Sequence, residues 1–210
     1  MGGLAFGLCA AAGAALANDG TWGLGLRGVY ADDRNQSDAV PLLAIPSDGL
    51  QVNDRWAAQF DAQYFLTPHW SGELDLTYPQ SQDLRYSESG SASTVAGGFK
   101  EMPLVLTAKY HFLPGALLQP YLGAGVNWTH FSSVNLAIPN GPLELRSWSV
   151  GPAIQAGLDW RLAPHLFANA DLKWSSVQTD VDLCCVKVSE IHLDPLMFGV
   201  GVSYRFGGGQ

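Results

Sequence analysis

Charge is scarce in this chain: 14% of its 210 residues are Asp, Glu, Lys or Arg, against roughly 25% in an ordinary soluble domain. A large solvated surface is therefore not expected. Basic residues are the scarcer sign, 11 Lys+Arg against 19 Asp+Glu for a net charge of -8. They form no run, so the electrostatic footprint needed to track phosphates is missing and no nucleic-acid partner is expected. The 3 cysteines are too few for a disulfide scaffold. The 5 histidines are scattered without metal-ligand spacing, so neither a metal nor another cofactor is expected. Apolar residues are not lacking: at 47% they argue against a disordered chain, and the length suits one domain.

Long apolar runs are missing too, with one exception. Residues Gly2 to Ala17 carry no charge, are rich in Ala and Leu, and end Ala-Leu-Ala before Asn18-Asp19. This resembles a signal-peptide core with cleavage after Ala17, so 1–17 is predicted to be a signal peptide and 18–210 the mature domain. A positive n-region is missing, and a buried helix is the alternative reading. Leu8 before Cys9 does not fit a lipid-anchoring signal. Beyond Ala17 no segment approaches the ~20 apolar residues of a membrane helix.

What recurs instead is strict alternation. Trp56, Ala58, Phe60, Ala62, Tyr64 and Leu66 share one face, with Ala57, Gln59, Asp61, Gln63 and Phe65 on the other. Period two is the strand signature. It returns around 21–30, 70–78, 104–112, 122–128, 148–160, 166–174 and 196–206, for about eight strands, an even number that allows closure. A soluble sandwich or lipocalin would alternate as well, with its apolar faces inward. Three features favour apolar-out. Aromatics stand at both ends of the apolar faces, as in Trp22 and Tyr30 or Trp148 and Trp160, like the two interfacial girdles of a membrane barrel. The opposite faces carry Asp61, Glu73, Asp75, Lys109, Asp159, Asp171, Lys173 and Arg205. Connections alternate between short (67–69, 113–118, 163–165) and long (31–50, 79–101, 132–146, 177–191), as periplasmic turns and external loops do. The predicted fold is an all-β, eight-stranded antiparallel transmembrane barrel of the bacterial outer membrane.

Leu66, Pro68, His69, Asp75 and Leu76 match Leu162, Pro164, His165, Asp171 and Leu172 at a constant offset of 96. Two short turns thus share one chemistry, Pro fixing φ where no ladder donor is needed. The segment Gln119-Pro-Tyr-Leu-Gly-Ala-Gly-Val-Asn-Trp-Thr-His-Phe131 resembles the fifth strand of the OmpW family of small outer-membrane barrels. His192-Leu-Asp-Pro-Leu-Met-Phe198 with Ser203-Tyr-Arg-Phe206 resembles its last strand. Gly123 and Gly125 would leave room in a crowded lumen. The resemblance implies an eight-stranded barrel that passes small hydrophobic molecules across the outer membrane. Phe206 near the end of the final strand is similar to the signal that barrel-assembly machinery reads, although Gly207 to Gln210 follow it.

Strand direction sorts the inward positions by depth. Toward the short turns they include Arg27, Asp61, Glu73, Asp75, Lys109, Asp159, Asp171 and Arg205, a predicted charge-paired plug. Toward the external end they include Val29, Ala57, Val105, Phe131, Ala153, Leu193 and Met197, with Pro103, Val177 and Pro195, a predicted apolar vestibule. An eight-stranded lumen is only just wide enough for side chains, which disfavours an ion pore. An apolar ligand would lose several kcal/mol by crossing the charged floor, so sideways escape into lipid is cheaper. Pro152, on the outward face of the sixth strand, is the candidate lateral gate, with a tolerated proline at a bulge as the alternative.

Other readings compete. A structural or receptor barrel needs no transport. His130, Ser132 and Glu144 are spaced like the His-x-Ser and distant Glu of eight-stranded lipid A deacylases, but that motif belongs on a penultimate strand, and 166–176 contains no His. No catalysis is expected. His192 and Asp194 beside Pro195 read as loop and strand-edge chemistry. Adjacent Cys184 and Cys185 could form a vicinal disulfide, join another chain, or bind a soft metal. Expected partners are outer-membrane lipid and lipopolysaccharide, small hydrophobic solutes, and the assembly machinery. Acidic loop residues such as Asp32 and Asp180 read most simply as solvated loop tips, although divalent cations bridging them to lipopolysaccharide would also suit them.

Overall fold

The computed structural model describes residues 20–32, 35–37, 50–52, 55–86, 94–138, 141–145, 147–183 and 186–207. The expected signal segment, Cys184 and Cys185 lie outside the described residues. In chain order the strands are β1 (Thr21–Asp32), β2 (Asn35–Ser37), β3 (Leu50–Val52), β4 (Arg55–Phe65), β5 (Trp70–Thr77), β6 (Gln80–Tyr86), β7 (Thr94–His111), β8 (Leu118–Ile138), β9 (Gly141–Leu145), β10 (Trp148–Arg161), β11 (Leu166–Ser175), β12 (Val177–Leu183), β13 (Val186–Leu193) and β14 (Leu196–Phe206). No helix occurs among the described residues.

Eight of these strands close on themselves. β1 pairs with β4, then β5, β7, β8, β10, β11 and β14 follow in order, and β14 returns to β1, every contact antiparallel. The remaining strands continue the hydrogen-bonded sheet beyond this ring at the end away from the short turns. The long connections, read from sequence as loops, therefore contain β-structure. β7 and β8 run for 18 and 21 residues, well past the ~10 needed to span a bilayer, and their outer halves recruit β6 and β9 as partners. Extending a ladder is a direct way to satisfy the backbone groups of a long excursion.

The alternation has the apolar-out sense. Trp22, Leu24, Leu26, Phe60, Leu106, Leu122, Ile154, Leu172, Phe198 and Val202 are exposed on the outer wall, while Arg27, Asp61, Glu73, Lys109, Asn127, Asp159 and Lys173 are buried in the lumen. A soluble barrel would show the reverse. Aromatic rings gather at both rims: Trp22 against Tyr64 (centroids 4.8 Å) and Trp70 against Tyr110 (5.1 Å) at the short-turn end, and Tyr30 against Trp56 (5.5 Å) at the other.

The repeated Leu-x-Pro-His turns are built alike. In one, His111 N–H donates to His69 C=O (2.8 Å) and the His69 imidazole Nδ1–H donates to His111 C=O (2.9 Å). In the other, Arg205 N–H donates to His165 C=O (2.8 Å) and His165 Nδ1–H donates to Arg205 C=O (3.0 Å). Each imidazole stands in for a main-chain donor where the ladder begins. This explains why His follows Pro in both copies.

Gly125 is required by close strand approach, since a Cβ there would meet the Leu106 carbonyl and lie 2.7 Å from Thr107 Cα across the β7–β8 ladder. Gly123 makes room for a lumen side chain: a Cβ would lie 3.2 Å from Lys109 Cγ.

Candidate functional site

The lumen is filled in tiers. Nearest the short turns, Arg205 is paired with Asp159 and its Nη1 donates to Gln119 Oε1 (2.9 Å), while Asn169 Nδ2 donates to the other Asp159 oxygen (2.7 Å). Gln63, Ser71 and His111 complete this level through Gln63 Nε2 to Ser71 Oγ (2.8 Å) and Ser71 Oγ to His111 Nε2 (2.9 Å).

Above it Arg27 is the hub. Its Nη2 lies 2.8 Å from Glu73, its Nε 3.3 Å from Asp61, and its Nη1 3.5 Å from Asp171 and 3.7 Å from Asp75. Lys109 Nζ reaches Glu73 at 2.6 Å and lies 3.8 Å from the centroid of the Tyr121 ring, and Lys173 pairs with Asp75. Gln155 Nε2 ties the network together, donating to Glu73 (3.3 Å) and Asp171 (3.2 Å). Three cations thus share four carboxylates, all in one buried layer. The residues singled out from sequence, Arg27, Asp61, Glu73, Asp75, Lys109, Asp159, Asp171 and Arg205, fall into these two tiers. Lys173, Gln155, Tyr121 and Gln119 join the tiers without belonging to that set. Their odd-numbered positions in alternating strands place them on the inward face, and that parity was the available signal.

Toward the outer end Val29, Ala57, Val105, Phe131, Ala153, Val177 and Met197 turn inward and are buried, with Val29, Ala31 and Met197 forming one apolar cluster. Val29, Ala57, Val177 and Met197 line a space of about 20 Å³ whose wall also includes Thr77, Glu101, Asn127, Thr129 and Ser175. This is room for about one water molecule. Polar residues therefore share this wall with the expected apolar ones. Leu193 lies in β13 opposite Val177, and its side chain lies outside the described residues.

The wall itself is interrupted beside this space. The β10–β11 ladder runs from Arg161↔Phe167 to Ala153↔Ser175 and ends with Ser176 N–H donating to Pro152 C=O (2.9 Å). In an antiparallel hydrogen-bonded pair the residues exchange two such bonds, and Pro152 has no N–H with which to return the second. Farther out β12 turns away to pair with β9 and β13, whereas residues 148–151 remain paired only with β8. Among the described residues no ladder joins this stretch of β10 to β12.

His130 does not meet a catalytic partner among the described side chains. Its Nδ1–H donates to Ser147 C=O (2.9 Å) and its ring packs against Trp148 at 4.4 Å. Ser132 follows two residues along β8, and the side chain of Glu144 lies outside the described residues, as does that of His192.

A closed eight-stranded barrel with an apolar outer band, aromatic rims and a charged interior is a transmembrane barrel of the bacterial outer membrane. The chain belongs to the OmpW family, whose model matches residues 25–206. It is 29% identical over 175 residues to the outer-membrane protein y4mB of Sinorhizobium fredii, covering 80% of this chain and 74% of that one. It is 28% identical over 169 residues to outer membrane protein W of Vibrio cholerae (75% and 76%). Against the dibenzothiophene metabolism operon protein PahQ of Pseudomonas aeruginosa it is 23% identical over 167 residues (77% of each). The crystal structure of OprG from Pseudomonas aeruginosa superposes with a TM-score of 0.75 at 22% identity, over 90% of this chain and 97% of that one.

Proposed function

We propose that the chain is a passive outer-membrane channel for small hydrophobic molecules, which enter from the external end of the lumen and leave sideways into the membrane at Pro152. The observation that carries this reading is the unmade ladder bond at Pro152, directly next to lumen-facing Ala153. Straight passage would require the Arg27 and Arg205 tiers to part, and each separated buried pair costs several kcal/mol. The sideways route breaks one backbone bond. The buried, inward-facing apolar positions Val29, Ala57, Val105, Phe131, Ala153 and Met197 are the proposed receiving surface. Dibenzothiophene, in the name of the relative PahQ, is a flat apolar heteroaromatic of the chemical class such a surface would take. Lipopolysaccharide at the outer rim and the assembly machinery during insertion are the proposed partners.

A structural or receptor barrel without transport is the second reading, and the small volume of the outer cavity, about 20 Å³, favours it. The two are separated by flux of dibenzothiophene into liposomes containing the protein. Pro152→Ala restores a donor facing Ser176 C=O, and one net backbone bond is worth about 0.5–1.5 kcal/mol, so flux should fall about two- to tenfold. Met197→Lys should also lower it, because the charge stays hydrated in the space the solute needs. Flux no greater than through empty liposomes would establish the barrel without transport. Unchanged flux in both variants, with a gain when Lys109 is replaced, would establish straight passage instead.

A further inference from the structure

A second cavity lies on the opposite side of the charged tiers, at the short-turn mouth, which in this class of barrel faces the periplasm. Its volume is about 320 Å³, within the range of small-molecule sites. Phe65, Leu66, Pro68, Pro164 and Phe167 supply apolar wall, Arg161 and Arg205 supply positive charge, and none of the described residues lining it is acidic.

Arg205 is fixed before any ligand arrives. Its guanidinium lies 3.8 Å from the ring centroid of Phe167 and 4.5 Å from that of Phe65. One Nη is committed to Asp159 and the other to Gln119, and the side chain is only 11% exposed. Its Nε, however, has no hydrogen-bond partner. A buried N–H left unsatisfied costs free energy that an acceptor reaching this enclosed atom from the cavity would recover, and a donor already held in place loses little conformational entropy when it binds. Because Asp159 balances Arg205 locally, the charge left to attract a ligand is that of Arg161, exposed on the lumen face of β10 at the rim.

One spare donor, one balancing cation and an apolar wall together fit a single anionic head on a short apolar body. A polyanion would leave most of its charge against Phe, Leu and Pro. We propose that the periplasmic mouth is a binding site for small organic monocarboxylates carrying a short apolar tail. The site is separated from the lateral route by both charged tiers and does not depend on it.

The test uses the full chain in lipid nanodiscs, titrated with hexanoate and followed by calorimetry and by the amide resonances of Gly20 and Gly115, which line the cavity. Hexanol is the neutral control and sodium sulfate the control for a simple anion. Saturable hexanoate binding that shifts both amides is expected, with no comparable effect of hexanol. Arg161→Gln should weaken it about tenfold, the loss of one charge-assisted contact. Arg205→Gln alone would strand Asp159, so it is paired with Asp159→Asn, and this double variant should also lose the site while keeping the gel mobility of a folded barrel. Replacing Met197 by Lys at the far end of the lumen should leave binding unchanged. Equal binding of hexanol, displacement of hexanoate by an equal concentration of sulfate, or parental affinity in both arginine variants would overturn the proposal.

Discussion

Replacing Lys109 by Met tests whether the middle tier holds the barrel together or merely fills it. Both Lys109 and Glu73 are fully buried, with Nζ 2.6 Å from the carboxylate. Methionine keeps most of the volume of the lysine stem and removes only the charge. Around it three cations already serve four carboxylates, so the change leaves two cations for four. Breaking a buried pair from one side typically costs about 3–5 kcal/mol, because the remaining charge is uncompensated. The lower end is expected, since Arg27 and Gln155 still reach Glu73 at 2.8 and 3.3 Å. Glu73→Gln works in the opposite direction, evening the tier to three and three, and should cost about 1–2 kcal/mol as a lost charged hydrogen bond. Combining the two changes should recover about 2 kcal/mol or more relative to the sum of the single costs. Urea titration of the protein in phospholipid vesicles, read by tryptophan fluorescence and by the mobility of unheated samples in gels, gives these differences. If Lys109→Met costs under about 1 kcal/mol, or if the double variant equals the sum, the layer is packing rather than a coupled charge network.

Three further outcomes follow from features of the wall and turns. His165→Ala should lower stability by about 1 kcal/mol through loss of the Nδ1–H bond to Arg205 C=O, and His69→Ala should match it because the two turns are built alike; urea midpoints check both. Gly157→Ala should cost about 1–3 kcal/mol by overpacking, since a Cβ there meets the Tyr121 ring and lies 2.9 Å from Ala170 C=O, and the larger Val should do worse in the same titration. Leu26→Arg, on the exposed outer face of β1, should destabilise insertion by about 2–4 kcal/mol if it sits near the bilayer midplane, measured as the vesicle-folded fraction across urea concentrations.

The barrel was legible in the sequence because period-two alternation is a local property. Trp56 to Phe65 announces its own two faces, and the aromatic ends and inward carboxylates settle which face meets lipid. Partnership across the lumen is not local. Lys173 pairs with Asp75 from 98 residues away, and nothing in either strand specifies the stagger that sets them at one height. Parity therefore identified Asp75 as inward without revealing its cation. The outer strands escaped for another reason: the 79–101 region has no clean alternation to read, and a register shift interrupts the β6–β7 ladder there. The wall break at Pro152 was half legible. Proline signals a missing donor, but that the donor was due to Ser176, where β11 gives way to β12, required the topology.

The pairing of β1 with β14 along the whole of both strands, from Trp22↔Phe206 to Asp32↔Leu196, bears on how such a chain comes to be folded. Each of the other seven pairings within the closed ring joins strands that follow one another in sequence, whereas this seam joins segments from the two extremes of the domain. Until β14 is available, a partly formed sheet has two open edges, and an open edge in hydrocarbon is prohibitively costly. Closure is therefore the step with the highest contact order and the slowest search. The nascent barrel must be chaperoned or kept extended until β14 arrives, and a chain truncated before Leu196 would expose the outer edges of β1 and β11 as a template for pairing with other chains.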